Sequence, residues 1–295
     1  MTQLFGQEER IHPITTVGLV ATARWMELDA LQPAINWLNS QGINVKLGGN
    51  IDEKYGQLAG TGAEKALEFN DLLHDPEVDA LWAVRGGYGS IKMVDEIDWD
   101  FWEKRPKPLI GFSDVTIILA KATKRGIPTV HGEMLLNFLK EDKIQQGIQP
   151  ALDIASGKSW RWTWENRSFH RKGEAKGILV GGNLSVLVSN IDSISEFDYK
   201  DKILLIEDLD EYIYHIDRLM ETLKRSGRLK KIAGLVVGGL TDMKDHQVPF
   251  GKTVEEVVWE AVSEYHYPVS FGAPFGHIPH QMPVRLGRTV DLIVD

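Results

Sequence analysis

What most constrains this chain is the recurrence, through its first half, of short apolar runs that end in small residues and are each followed by an amphipathic stretch. The runs ITTVGLVATA at 14–23, INVKLGG at 43–49, VDALWAVRGG at 78–87 and PLIGF at 108–112 alternate with ELDALQPAINWLNSQG at 27–42, GTGAEKALEFNDLLHD at 60–75 and GSIKMVDEID at 89–98. Mostly apolar runs of this length suit strands, buried on both faces where no polar residue interrupts them. The amphipathic stretches between them are long enough for crossover helices. The pattern therefore predicts an α/β fold, a parallel sheet with helices on both faces. ITTVGLVATA reads as the first strand, and the helix at 27–42 is expected to become regular near Pro33 and to close at Gly42.

The character changes from 141 to 176, a polar stretch broken by glycines and carrying Trp160, Trp162 and Trp164. It reads as a linker with a small β element. Beyond it, KGILVGG, KILLIED, IAGLVVGG and YPVSFGA supply four further strands, with helices expected around NLSVLVSNI, YIYHIDRLMETLKRSG and GKTVEEVVWEAVSEY. The expected organisation is an N-terminal domain over 1–142, a linker over 143–172 and a C-terminal α/β domain over 173–295.

Composition removes several functional classes. A formal net charge of −9 and the lack of a long Lys/Arg block argue against nucleic acid as a partner. The densest basic stretch, KRSGRLKK at 224–231, suits a helix C-terminus, where cations meet the negative end of the dipole. Without cysteine there is no disulfide framework, thiolate metal site or cysteine nucleophile. The N-terminus lacks the charged region and apolar core of a secretory signal, and no apolar run approaches about 18 residues. A cytoplasmic protein with no membrane partner is expected.

Three segments each place a reactive side chain at the end of an apolar run. GFSDVT at 111–116 offers Ser113, LLIEDLDEY at 204–212 offers Glu207 and GAPFGHIPH at 272–280 offers His277. A serine hydroxyl becomes a useful nucleophile when a histidine takes its proton, and the histidine works best when a carboxylate fixes its tautomer. Each residue also has a plainer reading. Ser113 could cap the helix that follows it, since the position two residues on is Val115 and not the glycine of a full nucleophile elbow. Glu207, Asp208, Asp210 and Glu211 could hold a divalent cation, although Asp210 and Glu211 equally suit the cap and first turn of a helix over 211–226. Among the nine histidines, His131 in PTVHGEM rivals His277 as the base, because both follow apolar segments.

Two glycine turns extend the candidate set. AVRGGYGS at 83–90 can aim backbone N–H groups into a site, with Gly86 and Gly87 as donors beside the amide of Asp114. VGGNLSVL at 180–187 contains Asn183, suited either to capping the next helix or to facing a substrate. Arg85 and Arg285 are the cations beside these segments.

Taken together, VRGGYG, IGFSDVT, VHGEM, GGNLSVL, LLIEDLDEYIYHIDRLM, GLVVGG and PFGHIPHQMPVRLG resemble, in order and spacing, the LD-carboxypeptidases of murein recycling and, more distantly, the microcin-C-immunity peptidases. The resemblance implies a Ser-Glu-His triad of Ser113, Glu207 and His277, with an oxyanion hole from Asp114, Gly86 and Gly87. It further implies an N-terminal parallel-sheet domain resembling class I glutamine amidotransferases, a C-terminal α/β domain carrying the acid and histidine, and a homodimer. The implied activity is release of terminal D-alanine from a cytosolic murein tetrapeptide, with no cofactor and no metal. Arg85 and Asn183 are the expected substrate-binding residues, and Arg85 or Arg285 the partner of the product-side carboxylate. An amidase acting on peptidyl-nucleotide or acyl-sulfamate substrates is the alternative. In that reading the tryptophans of 160–164 would stack a base.

Overall fold

The computed structural model describes residues 1–10, 12–138, 141–167 and 169–295, with 137–138 and 141–146 described by backbone alone. In chain order the elements are β1 (Thr2–Gly6), β2 (Thr16–Val20), α1 (Leu28–Ser40), β3 (Asn44–Leu47), α2 (Gly62–His74), β4 (Ala80–Ala83), α3 (Trp99–Lys104), β5 (Leu109–Gly111), α4 (Thr116–Lys124), β6 (Thr129–His131) and α5 (Glu141–Ser156). The second half continues with β7 (Trp160–Trp164), β8 (Gly173–Asn183), α6 (Leu184–Ser189), β9 (Lys202–Leu209), α7 (Ile213–Arg225), β10 (Gly234–Thr241), α8 (Val254–Val262), β11 (Val269–Phe271), β12 (Val284–Leu286) and β13 (Thr289–Val294). They form two compact units, one of Glu8–Lys158 with Met282–Gly287, the other of Met1–Gln7, Ser159–Gln281 and Arg288–Asp295. No helix among the described residues is long and apolar enough to cross a membrane.

The unit of Glu8–Lys158 contains a six-stranded sheet in the order β12-β6-β5-β4-β2-β3. Its strands are parallel except β12, which runs antiparallel to β6. Every residue of β2, β4, β5 and β6 is buried, which explains the uninterrupted apolar sequence of β4 and β5. Helix α2 starts where expected because Thr61 and Glu64 form a reciprocal cap, the Glu64 N–H donating to Thr61 Oγ1 and the Thr61 N–H to Glu64 Oε2.

Three expectations change here. Helix α1 begins at Leu28 and carries Pro33 inside it, since the missing N–H deprives only the Asp29 carbonyl near the helix start. The helix expected within 89–98 shrinks to a single 3-10 turn at Ser90–Lys92, and regular helix appears instead at α3, capped by Asp98, whose carboxylate accepts the Phe101 N–H at 3.0 Å. The stretch read as a linker contains α5 and then β7.

The other unit has a seven-stranded sheet in the order β11-β10-β9-β8-β13-β1-β7. Strands β8 to β11 are parallel, while β13, β1 and β7 add antiparallel strands beside β8. Strand β1 went unread in the sequence. It pairs with β13 from the far end of the chain and with β7, in register Leu4 to Trp162. The tryptophans of β7 are spent largely on this sheet, since Trp160 and Trp164 are buried and Trp164 Nε1 donates to Ser270 Oγ at 2.9 Å.

Candidate active site

In the first unit, β5 runs through Phe112 directly into a 3-10 turn at Ser113–Val115 and then α4. Ser113 has φ of 61°, a left-handed conformation costing a non-glycine residue on the order of 1–3 kcal/mol. A strained serine between strand and helix is the geometry that projects a hydroxyl beyond a sheet edge. The helix-cap reading fails, because Val115 occupies the N-cap of α4 and no side chain caps that helix.

Ser113 faces the glycine turn that follows β4. A Cβ added to Gly86 would lie 3.4 Å from Ser113 Oγ, so the turn lies directly against the hydroxyl. Among the described residues, no acceptor takes the backbone N–H of Gly86 or Gly87. The turn is held from behind. Fully buried Lys65 donates to the Gly89 carbonyl at 2.8 Å, and the Asp114 carboxylate accepts the Ser90 N–H at 2.8 Å. Burial pulls the Lys65 pKa down and pushes that of Asp114 up, in the latter case against the hydrogen bonds from Ser90. Sequence reasoning passed over Lys65, a residue on a helix face whose burial only the fold reveals.

The second unit brings Glu207 and His277 together. Glu207, at the C-terminal end of β9, is fully buried, and its Oε2 lies 2.6 Å from His277 Nδ1 and accepts the His277 backbone N–H at 3.3 Å. An ionised carboxylate can only accept, so Nδ1 carries the proton and Nε2 is left as the basic nitrogen.

The loop bearing His277 is pinned on several sides. Gly239 N donates to the Phe275 carbonyl at 2.8 Å, Thr241 Oγ1 to the His277 carbonyl at 3.0 Å and Gly276 N to Gln281 Oε1 at 3.1 Å. Gly276 is itself required: its φ is 88°, and an added Cβ would sit 2.5 Å from Glu207 Cβ. Thr241 and Gln281 carried no signal in the sequence, because neither side chain has reactive chemistry.

The other acids of the 207–211 run point elsewhere. Asp208 accepts from Ser185 N and Asn183 Nδ2, both at 2.9 Å, Asp210 pairs with Lys244 at 2.6 Å and Glu211 pairs with His215. Among the described residues, no three His, Asp or Glu side chains converge as a metal ligand set. Asp210 and Glu211 also precede α7, whose N-cap is Tyr212 without a side-chain bond, so their expected capping role does not hold.

The remaining candidates divide. Asn183 caps α6, its Oδ1 accepting the Val186 N–H at 3.2 Å, and is buried. Arg285, buried in β12, pairs with Glu9 at 3.4 Å. His131 is fully buried in β6 and meets Phe112 edge-on at 5.8 Å. Arg85 is half-buried, with Nη1 donating to the Trp25 carbonyl at 2.9 Å.

Profiles described as the LD-carboxypeptidase N-terminal domain and the LD-carboxypeptidase C-terminal domain match residues 17–132 and 176–292. A probable murein peptide carboxypeptidase of Bacillus subtilis is 30% identical over 276 residues, covering 92% of this chain and 86% of the relative. The microcin C7 self-immunity protein MccF of Escherichia coli is 28% identical over 272 residues, covering 80% and 77%. Among solved structures, a muramoyltetrapeptide carboxypeptidase from Oxalobacter formigenes superposes with a TM-score of 0.80 at 24% identity, covering 95% of this chain and 99% of the other, a likeness that shows the fold.

Proposed function

The chain belongs to the LD-carboxypeptidase family, and on that premise we propose that it is a serine carboxypeptidase releasing terminal D-alanine from cytosolic murein tetrapeptides by hydrolysis of the L,D bond. The observation that carries this reading is the buried Glu207 carboxylate 2.6 Å from His277 Nδ1. A carboxylate so placed holds the proton of the neutral ring on Nδ1, turning Nε2 into the acceptor, and stabilises the imidazolium once it forms.

In this mechanism Ser113 Oγ attacks the carbonyl carbon of the scissile amide as His277 Nε2 takes the hydroxyl proton. The carbonyl oxygen, now an anion, receives hydrogen bonds from the amides of Asp114 and the Gly86–Gly87 turn. Collapse of the adduct breaks the C–N bond, and His277 returns the proton to the departing D-alanine nitrogen. A water molecule, deprotonated by His277, then hydrolyses the acyl ester and frees Ser113.

A second reading, an amidase acting on peptidyl-nucleotide or acyl-sulfamate substrates, is supported by the similarity to MccF. The aromatic surface that would suit a base is not the tryptophan strand but the stack of Tyr212, His246 and Tyr214, whose rings lie 4.6 and 5.5 Å apart about His246. The two readings separate in one assay of purified protein against an L,D-linked tetrapeptide, its L,L isomer and an aminoacyl-sulfamoyl nucleoside. Preference for the L,D peptide is expected. Faster cleavage of the sulfamoyl nucleoside would overturn the peptide reading.

A further inference from the structure

A carboxypeptidase must recognise the free carboxylate at the end of its substrate, and one edge of the first unit's sheet offers a pair of arginines for it. Arg24 follows β2 and Arg85 follows β4, adjacent parallel strands, while Ser113 follows β5 on the other side of β4. All three therefore emerge at the C-terminal edge of one sheet, where open α/β sheets bind ligands.

The two guanidiniums are unusually placed for structural arginines. Arg24 lies across the glycine turn, its Cδ and Nε each 2.7 Å from where a Cβ on Gly87 would be. The Nε atoms of both Arg24 and Arg85 are buried without a hydrogen-bond partner, and no acidic side chain forms an ion pair with either among the described residues. Burial and then the charge of Arg24 hold the Arg85 guanidinium below its ordinary pKa. Asp114 feels the Arg24 charge, but its carboxylate is bonded to the Ser90 amide. Two like charges half-withdrawn from water, each with N–H donors unused, are costly until an anion joins them. A carboxylate matches the guanidinium fork and would relieve both.

We propose, resting on the carboxypeptidase reading, that Arg24 and Arg85 together clamp the terminal carboxylate of the peptide, with Arg24 the specificity-determining residue that restricts cleavage to the last bond of the chain. The Gly87 turn beneath Arg24 then links recognition of the carboxylate to the backbone that faces Ser113.

The test follows labelling of Ser113 by a fluorophosphonate in the presence of N-acetyl-D-alanine or its amide, alongside kcat/KM for an L,D tetrapeptide and its C-terminal amide. In the wild type the acid should protect Ser113 and its amide should not, and the acid substrate should be preferred by about a hundredfold or more. Arg24→Met should abolish the protection and reduce the acid-to-amide preference at least tenfold, chiefly through KM. Arg24→Lys, which keeps charge but not the fork, should retain a fraction of both and carries the test if the methionine variant does not fold. Undiminished protection and preference in a folded variant would overturn the clamp, whereas a wild type whose Ser113 takes no label would overturn the serine-peptidase reading and the clamp with it.

Discussion

Glu207 Oε2 and His277 Nδ1 are 2.6 Å apart, with the carboxylate fully buried at the end of β9. Glu207→Gln keeps the side chain's size and removes the charge that stabilises the imidazolium. The variant should fold normally and lose turnover by about 10²–10⁴-fold, with KM little changed. Asp210→Asn is the control from the same acidic run. Its carboxylate is exposed and pairs with Lys244, so steady-state kinetics should stay near wild type. A defect at Asp210 equal to that at Glu207 would place the acid on the wrong residue.

Gly276→Ala should damage the same pair without touching either member. The added methyl would meet Glu207 Cβ at 2.5 Å in a backbone of φ 88°. A cost of about 1–3 kcal/mol in unfolding free energy and a fall in kcat at temperatures where the variant is folded are expected. Unchanged melting and kcat would show that the loop is not held as described.

The strand ends were the legible part of this chain, and the reason is physical. A buried parallel strand demands an uninterrupted apolar run, so the residue where the run stops, as at Ser113 and Glu207, stands out in the sequence. His277 stood out by the glycines around it. What escaped reading depended on long-range contact. Strand β1 has only Leu4 and its neighbours to declare it and gains meaning from pairing with β13 at the other end of the chain. Helix α5 was hidden by its polar sequence, and Arg24 looked like any surface arginine until the fold laid it across Gly87. Asp210 and Glu211 carried a true cap composition, but Asp210 pairs with Lys244 and Glu211 with His215 in the first turn of α7.

Asp208 gives a pH dependence of stability. Burial is the largest influence on its carboxyl and raises its pKa above the ordinary 3.8. The folded state therefore holds this proton to higher pH than the unfolded chain, and the resulting stabilisation is lost as pH rises through the folded value. Asp208→Asn cannot ionise. Its unfolding free energy relative to wild type should increase as pH is raised from about 4 and then level off above the folded value. A flat or falling difference in denaturant titrations would contradict the assignment.

His277→Ala should lower kcat by about three orders of magnitude. His131→Ala, which empties a fully buried site against Phe112, should instead cost stability, about 2–5 kcal/mol. Kinetics and melting of the two variants separate the roles, and a dispensable His277 beside an indispensable His131 would reverse them.

Exhaustive chelation should leave activity intact, because the proposed electrophile is a set of backbone amides and the acids of 207–211 are engaged with separate partners. Loss on chelation and recovery with added zinc or magnesium would make that run a ligand set.

Free D-alanine released from a murein tetrapeptide by the wild type and by Ser113→Ala decides whether this chain is a serine carboxypeptidase. The wild type should release D-alanine from the L,D bond, and the variant, folded and with the same melting behaviour, should be slower by about three or more orders of magnitude. Release at a comparable rate from both proteins would contradict a serine mechanism.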